Sequence, residues 1–284
     1  MTIRIRRPTA RQLLSAALAE TELRLLNISR YPGQLAMDMV IPVIFAAIPM
    51  LLGQAMGGAR AGANFQAHTG TANYVPYLLI GSNVFTLVTN ALWHMANWLR
   101  FEQETGTLEA LYLAPTSSKV LASGVALYSV MRGLASALVA YLLGCLVFGV
   151  NPVQGNVGLA LAFIGVGLLP LYGMALLFGA VVLKLKESNA LLNVMQWGVS
   201  FLMGIFYPVA VLPPLVRVVA LLFPPTWMTN GVRSALLGVG YFFGAWYLDL
   251  AVLWAFMFLA PLFGLWVFGR IEAGIQKNEG VGQF

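Results

Sequence analysis

From Gly133 to Leu183 the chain carries no acidic or basic side chain. Four more such runs accompany it: Met39 to Ala59, Ala61 to Leu99, Ser188 to Val216 and Leu250 to Gly269. A helix rises 1.5 Å per residue, so about 20 apolar residues cross a bilayer core of about 30 Å. The longest run holds two spans, with Asn151-Pro152-Val153-Gln154-Gly155-Asn156 as the turn between them. Spans are expected at about 34–54, 76–98, 123–149, 157–183, 189–207 and 246–269. With 60% hydrophobic and only 9% charged residues, the chain belongs with polytopic membrane proteins and not with soluble domains. The expected fold class is an all-α polytopic membrane protein with six transmembrane helices.

Basic residues set the orientation, because cytoplasmic loops carry the excess of Lys and Arg. With the amino terminus inside, the inner segments hold Arg4, Arg6, Arg7, Arg11, Arg24, Arg30, Arg100, Lys119, Lys184, Lys186, Arg270 and Lys277. The outer segments hold Arg60, Arg217 and Arg233, and Arg132 falls inside a span. Both termini are therefore expected in the cytoplasm. The net charge of +6 is spread over loops, so it gives no nucleic-acid signal. No apolar core follows Arg4-Ile5-Arg6-Arg7, so no cleavable signal peptide is expected. The single cysteine, Cys145, sits in the third span and reads as packing.

The chain divides into a cytoplasmic tail with a surface helix, 1–33, and a transmembrane domain, 34–284. Within 11–31, Leu14, Ala17, Leu18, Leu25 and Ile28 share one helical face, with Arg11, Ser15, Glu22 and Arg30 elsewhere. That pattern fits a helix lying in the membrane surface. Pro32-Gly33 then breaks it before the first span. Loop 54–75 is polar, external and nearly uncharged. Between the last two spans, Pro208, Pro213, Pro214, Pro224 and Pro225 cut an apolar stretch into pieces too short to cross. Such broken helix survives at membrane depth only under protein or in a water-lined cavity. An external re-entrant or outer-leaflet helical hairpin is expected within about 206–245.

Converging catalytic groups are scarce. The chain has no G-x-x-x-x-G-K-[ST] phosphate loop, no H-E-x-x-H and no cysteine cluster. Neither an enzyme nor an ATP-binding protein is expected from this chain alone. His68 and His94 fall on opposite sides of the membrane, so no metal site is expected. Asp38, near the start of the first span, and Arg132, in the third, are the intramembrane polar candidates. An ion pair or snorkelling anchors and a proton relay are the two roles open to them.

Loop 100–119 differs in kind, because Glu102, Glu104 and Glu109 crowd into it. Phe101, Thr105, Leu108 and Tyr112 recur at helical spacing, so a short amphipathic helix over 101–113, stopped by Ala114-Pro115, would turn carboxylates to the cytoplasm. The residues alone leave open a solvated loop that balances Arg100 and Lys119.

The stretch Glu104-Thr105-Gly106-Thr107-Leu108-Glu109-Ala110-Leu111, closed by Ala114-Pro115, resembles the cytoplasmic loop of type-2 ATP-binding-cassette (ABC) exporter permeases. Gly204-x-Phe206-Tyr207-Pro208, Leu212-Pro213 and Phe223-Pro224-Pro225-Thr226-Trp227 resemble that family's segment before the last span. The amino-terminal surface helix looks like its interface helix, and the polar tail 270–284 like the end of many members. The resemblance implies that Glu102, Glu104, Gly106, Thr107, Leu108, Glu109 and Pro115 couple the chain to a separate ATPase subunit. It implies ATP and Mg on that partner, no cofactor on this chain, and a second copy or a sister permease beside it. It implies a multi-pass protein of the prokaryotic inner membrane, in contact with lipids and without nucleic acid. The expected activity is export of a lipid-like or amphipathic drug-like substrate, with polysaccharide or glycolipid as the alternative cargo. From another class, the alternative is an ion- or proton-coupled secondary transporter working through Asp38 and Arg132.

Overall fold

A computed structural model describes residues 32–57, 61–71, 73–104, 118–184 and 188–278, with Ser15, Leu18, Ala19, Thr21, Glu22 and Leu26 of the amino-terminal segment. Among the described residues every regular element is a helix. The long helices in chain order are α1 (Pro32–Gly57), α3 (Tyr74–Glu104), α4 (Ser118–Phe148), α5 (Val157–Lys184) and α9 (Trp246–Asn278). Between them lie α2 (Ala61–Thr69), α6 (Ser188–Leu202), α7 (Pro214–Leu221) and α8 (Pro224–Leu237).

Four segments are long and apolar enough to cross a membrane: Tyr74–Trp98, Val120–Phe148, Val157–Val182 and Trp246–Gly274. They coincide with the second, third, fourth and sixth expected spans. The protein is thus an all-helical, multi-pass membrane protein. The first expected span is α1, whose 26 residues carry the apolar stretch Met39–Leu52. Pro32 opens α1, so the proline read as a break also starts the helix. That suits a residue whose missing N–H has no partner at a first turn in any case.

Three expected boundaries move. Loop 54–75 contains the helix α2, closed by Gly70 at φ 78°. The second span runs on through Phe101 to Glu104, so the start of the short helix expected over 101–113 is the end of α3. Arg100 has no propensity to stop a helix, and charge alone was a poor boundary marker. The fifth expected span, 189–207, ends at Leu202 as the 15-residue α6. Gly204 at φ 61° turns the chain there, and a Cβ on it would meet the Tyr207 carbonyl at 2.7 Å.

The prolines of the segment before α9 sit where helices begin. Pro208 precedes a short 3-10 turn at Val209–Val211, Pro213-Pro214 opens α7 and Pro224-Pro225 opens α8. The short α7 exposes Leu215, Val218 and Val219, whereas α8 buries most of its length. The main core joins α3, α5, α8 and α9. α5 and α9 approach closely at glycines: a Cβ on Gly173 would lie 2.3 Å from the Ala260 carbonyl carbon, and one on Gly264 2.4 Å from the Gly173 carbonyl oxygen.

Candidate functional site

The bundle has a terminus end, where the amino-terminal segment docks, and a far end carrying α2, the 149–156 turn and α7–α8. At the terminus end, Thr21 is buried and its hydroxyl donates to the Gly124 carbonyl at 3.0 Å. On a helical wheel Thr21 falls among Leu14, Ala17, Leu25 and Ile28. Leu18, expected on the same apolar face as Leu14, Ala17, Leu25 and Ile28, is exposed, as are Glu22 and Leu26. Thr21 thus ties the segment to the first turns of α4, where the expected surface helix meets the bundle, while Leu14, Ala17, Leu25 and Ile28 lie outside the described residues.

The expected coupling residues divide. Glu102 and Glu104 end α3, placed by their backbone. Gly106, Thr107, Leu108, Glu109 and Pro115 lie outside the described residues. Asp38 is placed by its backbone in the second turn of α1. Arg132 is only 7% exposed and sits about four turns inside α4, where Nη1 donates to the Tyr128 hydroxyl at 3.2 Å. The guanidinium reaches back one turn toward the terminus end, as a snorkelling side chain does, but it is covered by protein. Tyr128 in turn lies 6.1 Å from the His94 ring. His68 is exposed on α2, at the far end.

Sequence reasoning passed over a polar stripe on α3. Ser82, Asn83, Thr86, Thr89, Asn90, Trp93 and His94 fall on one side of that helix. Thr86 and Thr89 return hydrogen bonds to Ser82 and Phe85 carbonyls at 2.9 and 3.0 Å. Trp93 Nε1 donates to Gln196 Oε1 of α6 at 3.0 Å, so one flank of the stripe faces α6. There Asn193, Gln196 and Ser200 recur at helical spacing, beside exposed Val194, Trp197 and Phe201. Polar groups recurring every three or four residues inside an apolar run were the signal that could have found this lane.

At the far end, α8 serves the elements around it. Thr226 Oγ1 donates to the Leu202 carbonyl at 3.3 Å and Trp227 Nε1 to the Leu221 carbonyl at 2.7 Å. Asn230 Nδ2 and Ser234 Oγ both donate to the Gly240 carbonyl. Arg233, 3% exposed, donates through Nε to the Tyr77 carbonyl at 3.2 Å and through Nη1 to the Gly204 carbonyl at 2.8 Å. Its Nη2 donates to the Ile205 carbonyl, and its guanidinium carbon lies 3.7 Å from the centre of the Tyr77 ring. Arg233 was expected among the charges of an outer loop; it is instead interior. In the turn nearby, the Tyr207 hydroxyl donates to the Phe201 carbonyl at 2.7 Å.

The sequence model of a family described as ABC-2 type transporter matches residues 17–237. That match takes in the docked amino-terminal segment, the α3–α6 lane and α8. No curated protein matches the chain.

Proposed function

The chain belongs to the ABC-2 type transporter family and is an ABC transporter permease, and from that premise we propose that it is the membrane subunit of an ATP-driven exporter. The observation that carries the proposal is the match over residues 17–237, which joins the loop after α3 and the α3–α6 lane in one domain. In this reading the bundle has six spans, with α1 and α6 as the first and fifth and both termini in the cytoplasm of a prokaryotic cell. The α7–α8 pair is then a re-entrant hairpin at the outer side. Helices of 8 and 14 residues reach only about 12 and 21 Å, which supports that form.

ATP and Mg bind on a separate ATPase subunit. It docks at Glu102, Glu104 and the residues 105–115, beside the amino-terminal helix that Thr21 fixes to α4. Carboxylates on this socket make charge-assisted contacts to basic groups of the ATPase. Closure of two ATPase subunits then drives two permeases between inward-facing and outward-facing arrangements. Asn193 is exposed on α6, and an amide facing hydrocarbon is costly. A second copy, or a sister permease, covers it.

The substrate proposed is lipid-like or amphipathic. The lane sets the Gln196 amide, held by Trp93, beside exposed Val194, Trp197 and Phe201, a polar group next to a surface for an apolar body.

The test is a detergent pull-down of the tagged chain with the ATPase encoded beside its gene, followed by ATP hydrolysis measurements. A stoichiometric complex is expected, with hydrolysis that depends on residues 101–113. A chain that binds no nucleotide-hydrolysing partner would instead be gradient-driven, with Asp38 and Arg132 carrying the coupling.

A further inference from the structure

A buried guanidinium on α8 joins two helices across the mouth of the α3–α6 lane. Arg233 reaches α3 through the Tyr77 carbonyl and ring, and the turn after α6 through the Gly204 and Ile205 carbonyls. At the other end of the lane, Trp93 and Gln196 make the corresponding bridge. Arg233 has no carboxylate among these partners. Its charge is balanced by carbonyl dipoles and by the face of an aromatic ring, all from backbone or ring positions that cannot swing away singly.

We infer that Arg233 is the positioning residue of the outer gate, a bolt that holds the outer ends of α3 and α6 together while the lane faces inward. The inference rests on the transporter reading above. Three features fit a bolt better than general packing. A planar guanidinium presents a fixed fork of donors, and here that fork spans two elements instead of filling one cavity. The space is shaped for it: a Cβ on Gly81 would lie 2.0 Å from Nη2 and 2.5 Å from the Ile205 carbonyl, so any larger residue at 81 evicts the fork. And the carbonyls it joins belong to the turn at Gly204, where α6 stops short. The outer end of α6 is therefore held by the side chain of α8 and not by continuing helix.

Opening the lane outward requires these bonds to part. α8 is also tied to α6 by Thr226 and to α7 by Trp227, so removing the bolt leaves the hairpin seated. Arg233→Met keeps an unbranched side chain and removes the fork. Gly81→Ala leaves the Arg233 side chain whole but sets a Cβ against both Nη2 and the Ile205 carbonyl, so it spreads the same joint from the α3 side. Both are expected to give folded protein whose outer gate no longer closes.

The experiment uses the full chain in sealed proteoliposomes loaded with 6-carboxyfluorescein, with the ATPase subunit present and ATP absent. Leak through Arg233→Met and Gly81→Ala is expected to exceed wild type by about tenfold, equivalent to roughly 1.4 kcal/mol in the gate equilibrium. ATP hydrolysis is expected to persist, uncoupled from transport. Arg233→Lys, a point charge without the fork, is expected to fall between. Variants that fold and seal as tightly as wild type overturn the inference. So does leak that appears only with loss of helical signal or a collapsed Tm, which would mark Arg233 as a support of the fold alone. Wild-type protein that never stimulates or binds an ATPase overturns the transporter reading, a result the dye measurement does not share.

Discussion

Asp249 shows how much a single side chain can hold at the far end. It lies in the first turn of α9, fully buried, and accepts hydrogen bonds from the backbone N–H groups of Phe242 at 2.8 Å and Phe243 at 3.0 Å. Those two rings pack on Trp227 of α8. Asp249→Ala strands two amides under aromatic cover, and each unsatisfied buried group costs about 1–3 kcal/mol. A loss of roughly 3 kcal/mol is expected, with Asp249→Asn keeping one acceptor and losing about half as much. Thermal unfolding in detergent checks both. Equal Tm values for Asp249→Ala and wild type would show that these two hydrogen bonds do not hold the loop before α9. Neither Asp249 nor Arg233 was legible as a site in the sequence. Asp249 sits close in sequence to its donor partners, but a carboxylate beside an apolar run reads as a boundary charge. Arg233 finds its acceptors 28, 29 and 156 residues away, a distance at which local pattern carries no information. Arg132 was legible as an intramembrane charge because no loop lay near enough to claim it.

Helices were most legible where one physical rule dominated. Uninterrupted apolar length located α3, α4, α5 and α9, and the five prolines marked the starts of the short pieces before α9. Ends were harder. α3 outlasts its apolar run because the charged residues that follow it are good helix formers, and α6 stops within its apolar run because Gly204 adopts a conformation other residues resist. Packing contacts between helices were the least legible. Gly240 and Gly244 match a small-residue motif by spacing, yet both have positive φ in a loop. The glycines that bring helices together, Gly173 and Gly264, belong to different elements. This supplies a paired test on α5. Gly173→Ala sets a Cβ against the backbone of Ala260 and Pro261, which no rotamer can relieve, so about 1–3 kcal/mol of destabilisation is expected. Gly165→Ala meets nothing within 4 Å and gains roughly 0.5–1 kcal/mol from helix propensity. Detergent melting curves that move in the same direction for both variants would show that α5 and α9 are not seated as described.

At the scale of the whole molecule, the proposed exporter needs ATP binding at the terminus end to be answered at the far end. Distance sets the requirement: 31 residues of α3 span about 46 Å, with Glu104 at one end and the Tyr77 carbonyl near the other. A continuous helix transmits a tilt over that length, which is why the absence of a break at Arg100 matters more than the exact limits of the loop. If the socket is electrostatic, Glu102→Lys with Glu109→Lys reverses charges that lie beyond the membrane-spanning stretch of α3, so expression and Tm are expected to stay at wild-type values. Affinity for the ATPase subunit is expected to fall by at least about tenfold, or roughly 1.4 kcal/mol, because like charges then face each other across the joint. Raising the ionic strength should weaken the wild-type complex and narrow its gap to the variant, since screening acts on exposed charges within about 10 Å at 0.1 M salt. Binding that ignores both the reversal and the salt would mean that the ATPase is held by the apolar face of the amino-terminal helix, and α3 would then transmit the stroke without gripping the subunit that drives it.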